Sequence, residues 1–231
     1  MLRDMRINRI FEGSSEIMRL FIAREATDAH LSAAGDLINP RLPGKQRARA
    51  AAKAGEFYAK WLPTLMTGEG QKPGSFSEFG RLAPHLRYVE RASRNLARST
   101  FYAMARWQGR LERKQGFLGR IVDIGAELFA ISATCVRAEM DRNDGAGTDR
   151  GATAYELADL FCTQARQRAE ELFAQLWSNS DAADSSSARR ILGGSYTWLE
   201  DEIIDPSIPG PSIAHVESGP SRTENVHRTI G

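Results

Sequence analysis

The chain has 231 residues, of which 42% are hydrophobic, and a formal net charge of +2. That is enough for one or two domains, and too balanced to demand a nucleic acid or an acidic partner. No apolar run reaches the roughly twenty residues that span a bilayer, and no apolar signal core follows the charged N-terminus, so an integral membrane or secreted protein is not expected. Cys135 and Cys162 are the two cysteines. Each falls in an apolar helical pattern and no metal-ligand spacing occurs, which predicts reduced, buried thiols in a reducing compartment and no metal site.

In chain order, Ile17, Leu20, Phe21 and Ala29 recur at helical spacing and predict a first helix from Ser14 to about Ala34, ended near Gly35 and Pro40. A second spans about Lys45 to Leu62. Pro63, Gly68, Gly70, Pro73 and Gly74 then mark a long loop, the expected hinge or internal boundary. The third helix, about Phe79 to Lys114, carries Leu82, Leu86, Val89, Ser93 and Leu96 on one face. The fourth, about Phe117 to Arg142, has a core stripe of Leu118, Ile121, Val122, Gly125, Leu128, Phe129, Ser132 and Val136, ended by Asp144, Gly145 and Gly147. The fifth, about Thr153 to Trp177, repeats the pattern through Ala158, Phe161, Cys162, Ala165, Ala169, Leu172, Phe173 and Leu176, and a short helix covers about Ala183 to Gly193. With no strand alternation, the expectation is an all-α fold, an antiparallel bundle of amphipathic helices. Beyond Ile204 the chain is rich in Pro, Ser and Gly and predicts a disordered tail, with solvated His215 and His227.

Arg87, Arg91, Arg94 and Arg98 recur at steps of four, three and four on the third helix, and between Phe79 and Lys114 nine Lys or Arg stand against two Glu. Such a stripe can attract anionic lipid headgroups. It can equally be a solvated face or pair with acidic neighbours such as Glu170 and Glu171. Exposed interleaved aromatics are missing, so a nucleic-acid partner is not expected.

Residues 2–21, LRDMRINRIFEGSSEIMRLF, concentrate the chemistry. Glu12 follows apolar Ile10 and Phe11, which disfavour its charged form and move it toward useful basicity. Gly13 permits close approach of a ligand to the backbone, and Ser14 or Ser15 can cap a helix whose first N–H groups attract anions. A Glu before a helix is otherwise a dipole-compatible surface charge, and the same holds for Glu16 in the first turn.

The run Arg9 to Leu20 resembles the acyl-CoA dehydrogenase family, whose C-terminal helical domain carries R-I-[FY]-E-G-[TS]-x-x-I-x-R-L. The resemblance implies that Glu12 is the general base that removes the α-proton of a fatty acyl-CoA while the β-hydride passes to FAD, leaving a trans-2-enoyl-CoA. It implies that Phe11 lines the acyl pocket, that Gly13 lies against substrate, that Ser14, Ser15 and Glu16 touch FAD, and that Arg24 lies near the thioester ligand. An electron-transferring flavoprotein as electron acceptor and a homodimer follow from the same resemblance. So does a cytoplasmic location, peripheral at the membrane through the four arginines, or a mitochondrial one in a eukaryote.

The close match runs to about Leu31, and the rest looks like the additional helical domain of the very-long-chain subgroup. The implied organisation is 1–40 as the end of the catalytic helical domain, 41–204 as a further helical bundle and 205–231 as a tail. The glycine-rich F-G-G segment and the domains that precede this motif in the family do not occur in the chain. A non-catalytic helical module for dimerisation or membrane contact is therefore the competing expectation.

Overall fold

The computed structural model describes residues 14–38, 43–145 and 148–199, and among them there is no strand. Six α-helices follow one another: α1 (Ser15–Ile38), α2 (Gly44–Trp61), α3 (Ala83–Trp107), α4 (Gln115–Asp144), α5 (Asp149–Gln175) and α6 (Asp181–Leu192). The described residues up to Asn179 belong to one compact unit, and a second begins at Ser180. Glu12 and its neighbours Phe11 and Gly13, Pro40, and the tail with His215 and His227 lie outside the described residues.

The long third helix of the sequence reading is corrected to three pieces. A 3₁₀ segment (Ser77–Leu82) precedes α3 and another (Gln108–Arg113) follows it. Pro84 marks the true start, because a proline in the first turn lacks only an N–H that would be unpaired there. Gln108 at φ 47° turns the chain out of the helix, and its N–H caps the Met104 carbonyl. Conversely, α1 continues through Gly35 to Ile38, since one glycine costs only about 1 kcal/mol in a helix interior. Thr148 starts α5 ahead of the predicted point, with its hydroxyl oxygen accepting from Gly151 N at 3.3 Å.

Helices α4 and α5 follow one another in the chain and pack along their lengths. Glu127 pairs with Arg168, Cys135 with Cys162 and Glu139 with Tyr155. As the α4 number rises the α5 number falls, which fixes the antiparallel sense. The α5 face toward α4 consists of Ala158, Cys162, Ala165 and Ala169, all buried, and such small residues let the two backbones approach closely. The thiols of Cys135 and Cys162 are free, fully buried and 3.8 Å apart. The hydrogen bond with Cys135, and then burial, hold the Cys162 thiol well above its ordinary pKa, so it stays protonated.

Two apolar clusters form the core. One gathers Ala23 of α1, Ala92 and Ala103 of α3, Phe117, Ile121 and Ile124 of α4 and Leu176 beyond α5. The other gathers Leu82, Leu86, Ile131, Cys135, Tyr155 and Cys162. Phe117 lies between Trp107 and Trp177, with ring centroids 4.8 and 5.3 Å away. Each such large side chain, fully buried, contributes about 1.5–3 kcal/mol. A third aromatic group joins α1, α2 and α3, where His30 packs edge-on to Trp61 at 4.6 Å and stacks on Tyr58 at 5.9 Å, and Phe101 closes the group.

The predicted core stripes are right for part of each helix and wrong for the rest. Ser93 on α3 is exposed, as are Phe129 (74%) and Val136 (47%) on α4, Phe161 on α5, and Ile17 (59%) and Phe21 (58%) on α1. On α4 the buried positions are Phe117, Leu118, Ile121, Ile124, Leu128, Ile131, Cys135 and Ala138. The helix is apolar on two sides, and periodicity alone cannot say which side meets the core.

Candidate functional site

Helix α1 begins where the carboxylate motif ends. The Ser14 carbonyl accepts the Met18 N–H at 3.1 Å, so Ser14 takes the cap position. Glu16 is fully exposed, and its carboxylate is held below the usual range first by its own backbone N–H, then by the Ser14 hydroxyl, with Arg19 adding attraction. It is therefore ionised and turned back onto the helix start.

Beyond this first turn the helix has two unlike faces. Inward, Leu20 and Ala23 pack on the first core cluster, the Thr27 hydroxyl donates to the Ala23 and Arg24 carbonyls at 3.2 and 2.9 Å, and His30 is buried among the aromatics. Arg19 Nε donates to Asp123 Oδ1 at 2.7 Å and ties α1 to α4. Outward, Ser14, Ile17, Phe21 and Arg24 follow one another at i, i+3, i+7 and i+10, a single stripe of the helix, all exposed. Met18 and Ile22 widen its apolar part. Arg24 lies eight residues past Glu16, about 12 Å along the axis at 1.5 Å per residue.

Of the predicted site residues, then, the structure puts Ser14 and Arg24 on one stripe, with Ile17 and Phe21 between them. Ser15 is half-buried, and Glu16 stands off that stripe. The missed residues are Ile17, Met18, Phe21 and Ile22, of which the sequence reading used Ile17 and Phe21 only for their helical spacing and passed over the other two. The available signal was that too many turns of α1 are apolar on both sides for one face to be buried.

The arginine stripe on α3 is also corrected, because three of its four members are occupied. Arg87 Nη1 donates to the Ser75 carbonyl at 2.9 Å and Arg91 Nη1 to the Gly70 carbonyl at 2.6 Å. Arg94 pairs with Glu90, whose Oε2 accepts the Gly70 N–H at 2.8 Å. The segment expected to be a hinge is thereby fastened to α3, and the stripe is not an open basic face. The acceptors of Arg87 and Arg91 are carbonyls of a loop distant in sequence and that of Arg94 is Glu90 on its own helix, rather than Glu170 or Glu171.

A further polar group links α3 to α5. His85 Nε2 and Arg81 Nη2 meet the two oxygens of Asp159 at 2.9 and 3.0 Å, which holds that carboxyl below its usual value, His85 contributing most. Burial and Glu139 push the Tyr155 phenol up to about 12, so it remains a donor to Glu139. Among the described residues no group of acidic, His or Cys side chains could hold a metal, and no helix is long and apolar enough to cross a membrane.

Residues 59–183 match the model of the family described as acyl-CoA dehydrogenase, C-terminal, bacterial type. The chain belongs to that family. The match covers the end of α2, the fastened loop, α3 to α5 and the start of α6. Similarity to individual relatives extends much further. Proteins named "Probable acyl-CoA dehydrogenase FadE10" from Mycobacterium bovis and Mycobacterium tuberculosis are 64% identical over 229 residues, 99% of this chain. Those 229 residues are 35% of the relatives, so the chain spans about a third of their length. Helix α1 precedes the part that the family model matches and is included in this wider similarity.

Proposed function

We propose that this chain forms the C-terminal helical part of a flavin-dependent acyl-CoA dehydrogenase, which converts fatty acyl-CoA to trans-2-enoyl-CoA in fatty acid β-oxidation. The observation that carries the reading is the two-faced α1 directly after the Glu12 motif. Its inner face is built into the bundle, while the stripe of Ser14, Ile17, Phe21 and Arg24 is exposed in a chain one third the length of its relatives.

In this reading Glu12 takes the α-proton, its carboxylate becoming a carboxylic acid as the Cα–H bond breaks and the Cα=Cβ bond forms. Gly13 leaves room for the thioester to approach the backbone, and the Glu12 N–H donates to the thioester carbonyl as enolate character develops. Phe11 lines the acyl chain and Arg24 lies toward the CoA side. FAD, when bound, supplies the acceptor for the hydride that leaves Cβ. Ser14 and Ser15 fit such a group through their hydroxyls, and Ile17 and Phe21 can cover an apolar ring edge. Glu16, being ionised, suits a hydroxyl or amino donor of the cofactor and not its phosphates. Electron-transferring flavoprotein is the expected oxidant of the reduced cofactor, and the protein is expected to self-associate. The residue division 1–40, 41–204 and 205–231 belongs to the same proposal.

The test is Glu12→Gln in the longer, flavin-loaded protein. Acyl-CoA binding should persist while flavin bleaching by substrate slows at least 10²-fold, the scale of a lost general base. Ordinary bleaching rates in that variant would remove Glu12 from the role.

A further inference from the structure

The contact between α4 and α5 in the second core cluster carries a pair of groups with chemistry of their own. Cys135 and Cys162 are both fully buried, and their sulfurs face each other across the two helices at 3.8 Å. Cys162 Sγ lies 3.8 Å from the Ile131 carbonyl oxygen as well. On either side of Cys162 the α5 face is alanine, at Ala158, Ala165 and Ala169.

From this geometry we infer that Cys135 and Cys162 are a redox modification site, which a small peroxide oxidises to an intramolecular disulfide that clamps α4 to α5. The inference is independent of the chemistry assigned to Glu12.

An S–S bond is about 2.05 Å long, so the two sulfurs need to approach by less than about 2 Å. Rotation about the two Cα–Cβ bonds serves that approach. The two residues are the whole cysteine content of the chain, so no other pairing competes within it. Full burial keeps out protein thiols and bulky disulfides, and it favours a neutral oxidant little larger than water that enters when the helix pair opens locally.

Cys135 reacts first. The Cys162 S–H donates to it and holds the Cys135 thiol below its ordinary value, against burial and the Asp159 charge, while the same contact and burial hold Cys162 up. The thiolate is the nucleophile. Cys135 attacks one oxygen of hydrogen peroxide, the O–O bond breaks, and the second oxygen leaves with a proton as water, so that Cys135 becomes a sulfenic acid. The Cys162 sulfur then attacks the Cys135 sulfur. Its proton and the sulfenic hydroxyl leave together as water while the S–S bond forms. The thiols lose two electrons and two protons, and one peroxide becomes two waters.

The test starts from the reduced 231-residue chain, exposed to hydrogen peroxide without denaturant, quenched, unfolded and alkylated with N-ethylmaleimide for intact mass. Wild type should lose both alkylatable thiols and two hydrogens of mass, and dithiothreitol should restore both. Cys135 and Cys162 are 27 apart in sequence. Closing a loop of that length should lower the unfolding equilibrium constant in urea about 10²-fold in the oxidised form. In Cys135→Ala, which keeps a small side chain at the contact, the Cys162 thiol should be consumed at least roughly tenfold more slowly, because it stays protonated without its partner. The wild-type arms decide the matter even if that variant fails to fold. Two thiols still alkylated, added oxygens in place of lost hydrogens, or a disulfide that forms only in urea would each overturn the inference. So would a lone Cys162 that oxidises as fast as the pair. An oxidised chain no more stable than the reduced one would overturn the clamp.

Discussion

Gly70 shows what a single position decides. It is buried, and a Cβ placed on it would lie 2.5 Å from the Arg87 carbonyl oxygen and closer still to Glu90 Oε2. Gly70→Ala should therefore cost about 1–3 kcal/mol, the range for forced overpacking. Gly74→Ala, with nothing within 4 Å, should leave urea unfolding unchanged. His30 sets a pH dependence. Burial lowers its pKa below the ordinary 6.5, so the unfolded chain binds a proton more readily than the folded one. Its contribution is present in full above pH 6.5 and is lost as pH falls from there toward the folded value. His30→Phe, which keeps an aromatic ring among Phe57, Tyr58 and Trp61, should flatten the fall in unfolding free energy between about pH 7 and pH 5. An unchanged slope would assign that fall elsewhere.

Between elements, Asp159 is the tie from α5 to α3. Its folded pKa is depressed, so the stability it adds is present above the ordinary 3.8 and is lost as pH falls below it. Asp159→Asn removes a charge-assisted partner from His85 and Arg81 together. With a third of the carboxylate exposed, the cost at neutral pH should be about 1 kcal/mol by chemical denaturation. Helix existence was legible for all six elements, because amphipathic periodicity survives without context. Helix ends were legible where a turn signal was weighed, as at Gly145, and misplaced where Pro84 and Thr148 were passed over. The phase of the apolar faces on α1 and α4 was not legible, since both helices are apolar on two sides.

Across the molecule, the boundary at Asn179 gives a direct expectation. Helix α6 contains no buried residue; the Ser180 carbonyl accepts the Asp184 N–H at 2.9 Å at its start, and the Gly193 and Gly194 N–H groups bond the Arg189 and Ile191 carbonyls at its end. A chain ended after Asn179 should lose only the share of the helical signal that the 12 residues of α6 supply and unfold within about 0.5 kcal/mol of the full chain, the scale of changes away from the core. A larger loss would show that residues past Ser180 support the bundle. The exposed outer face of α1 belongs to this scale too: it is proposed to meet the rest of a longer enzyme.

By itself the sequence determined the all-α class, the number and order of the helices and, through Arg9 to Leu20, the family, because these depend on local periodicity and on a motif short enough to read directly. Only the tertiary structure decided which face of α1 and α4 is buried, that Arg87 and Arg91 hold a loop while Arg94 pairs with Glu90, and that His85, Arg81 and Asp159 meet. Those outcomes depend on which apolar surface finds a partner and which donor finds a distant carbonyl, and such pairings between residues far apart in the chain leave no periodic trace in it.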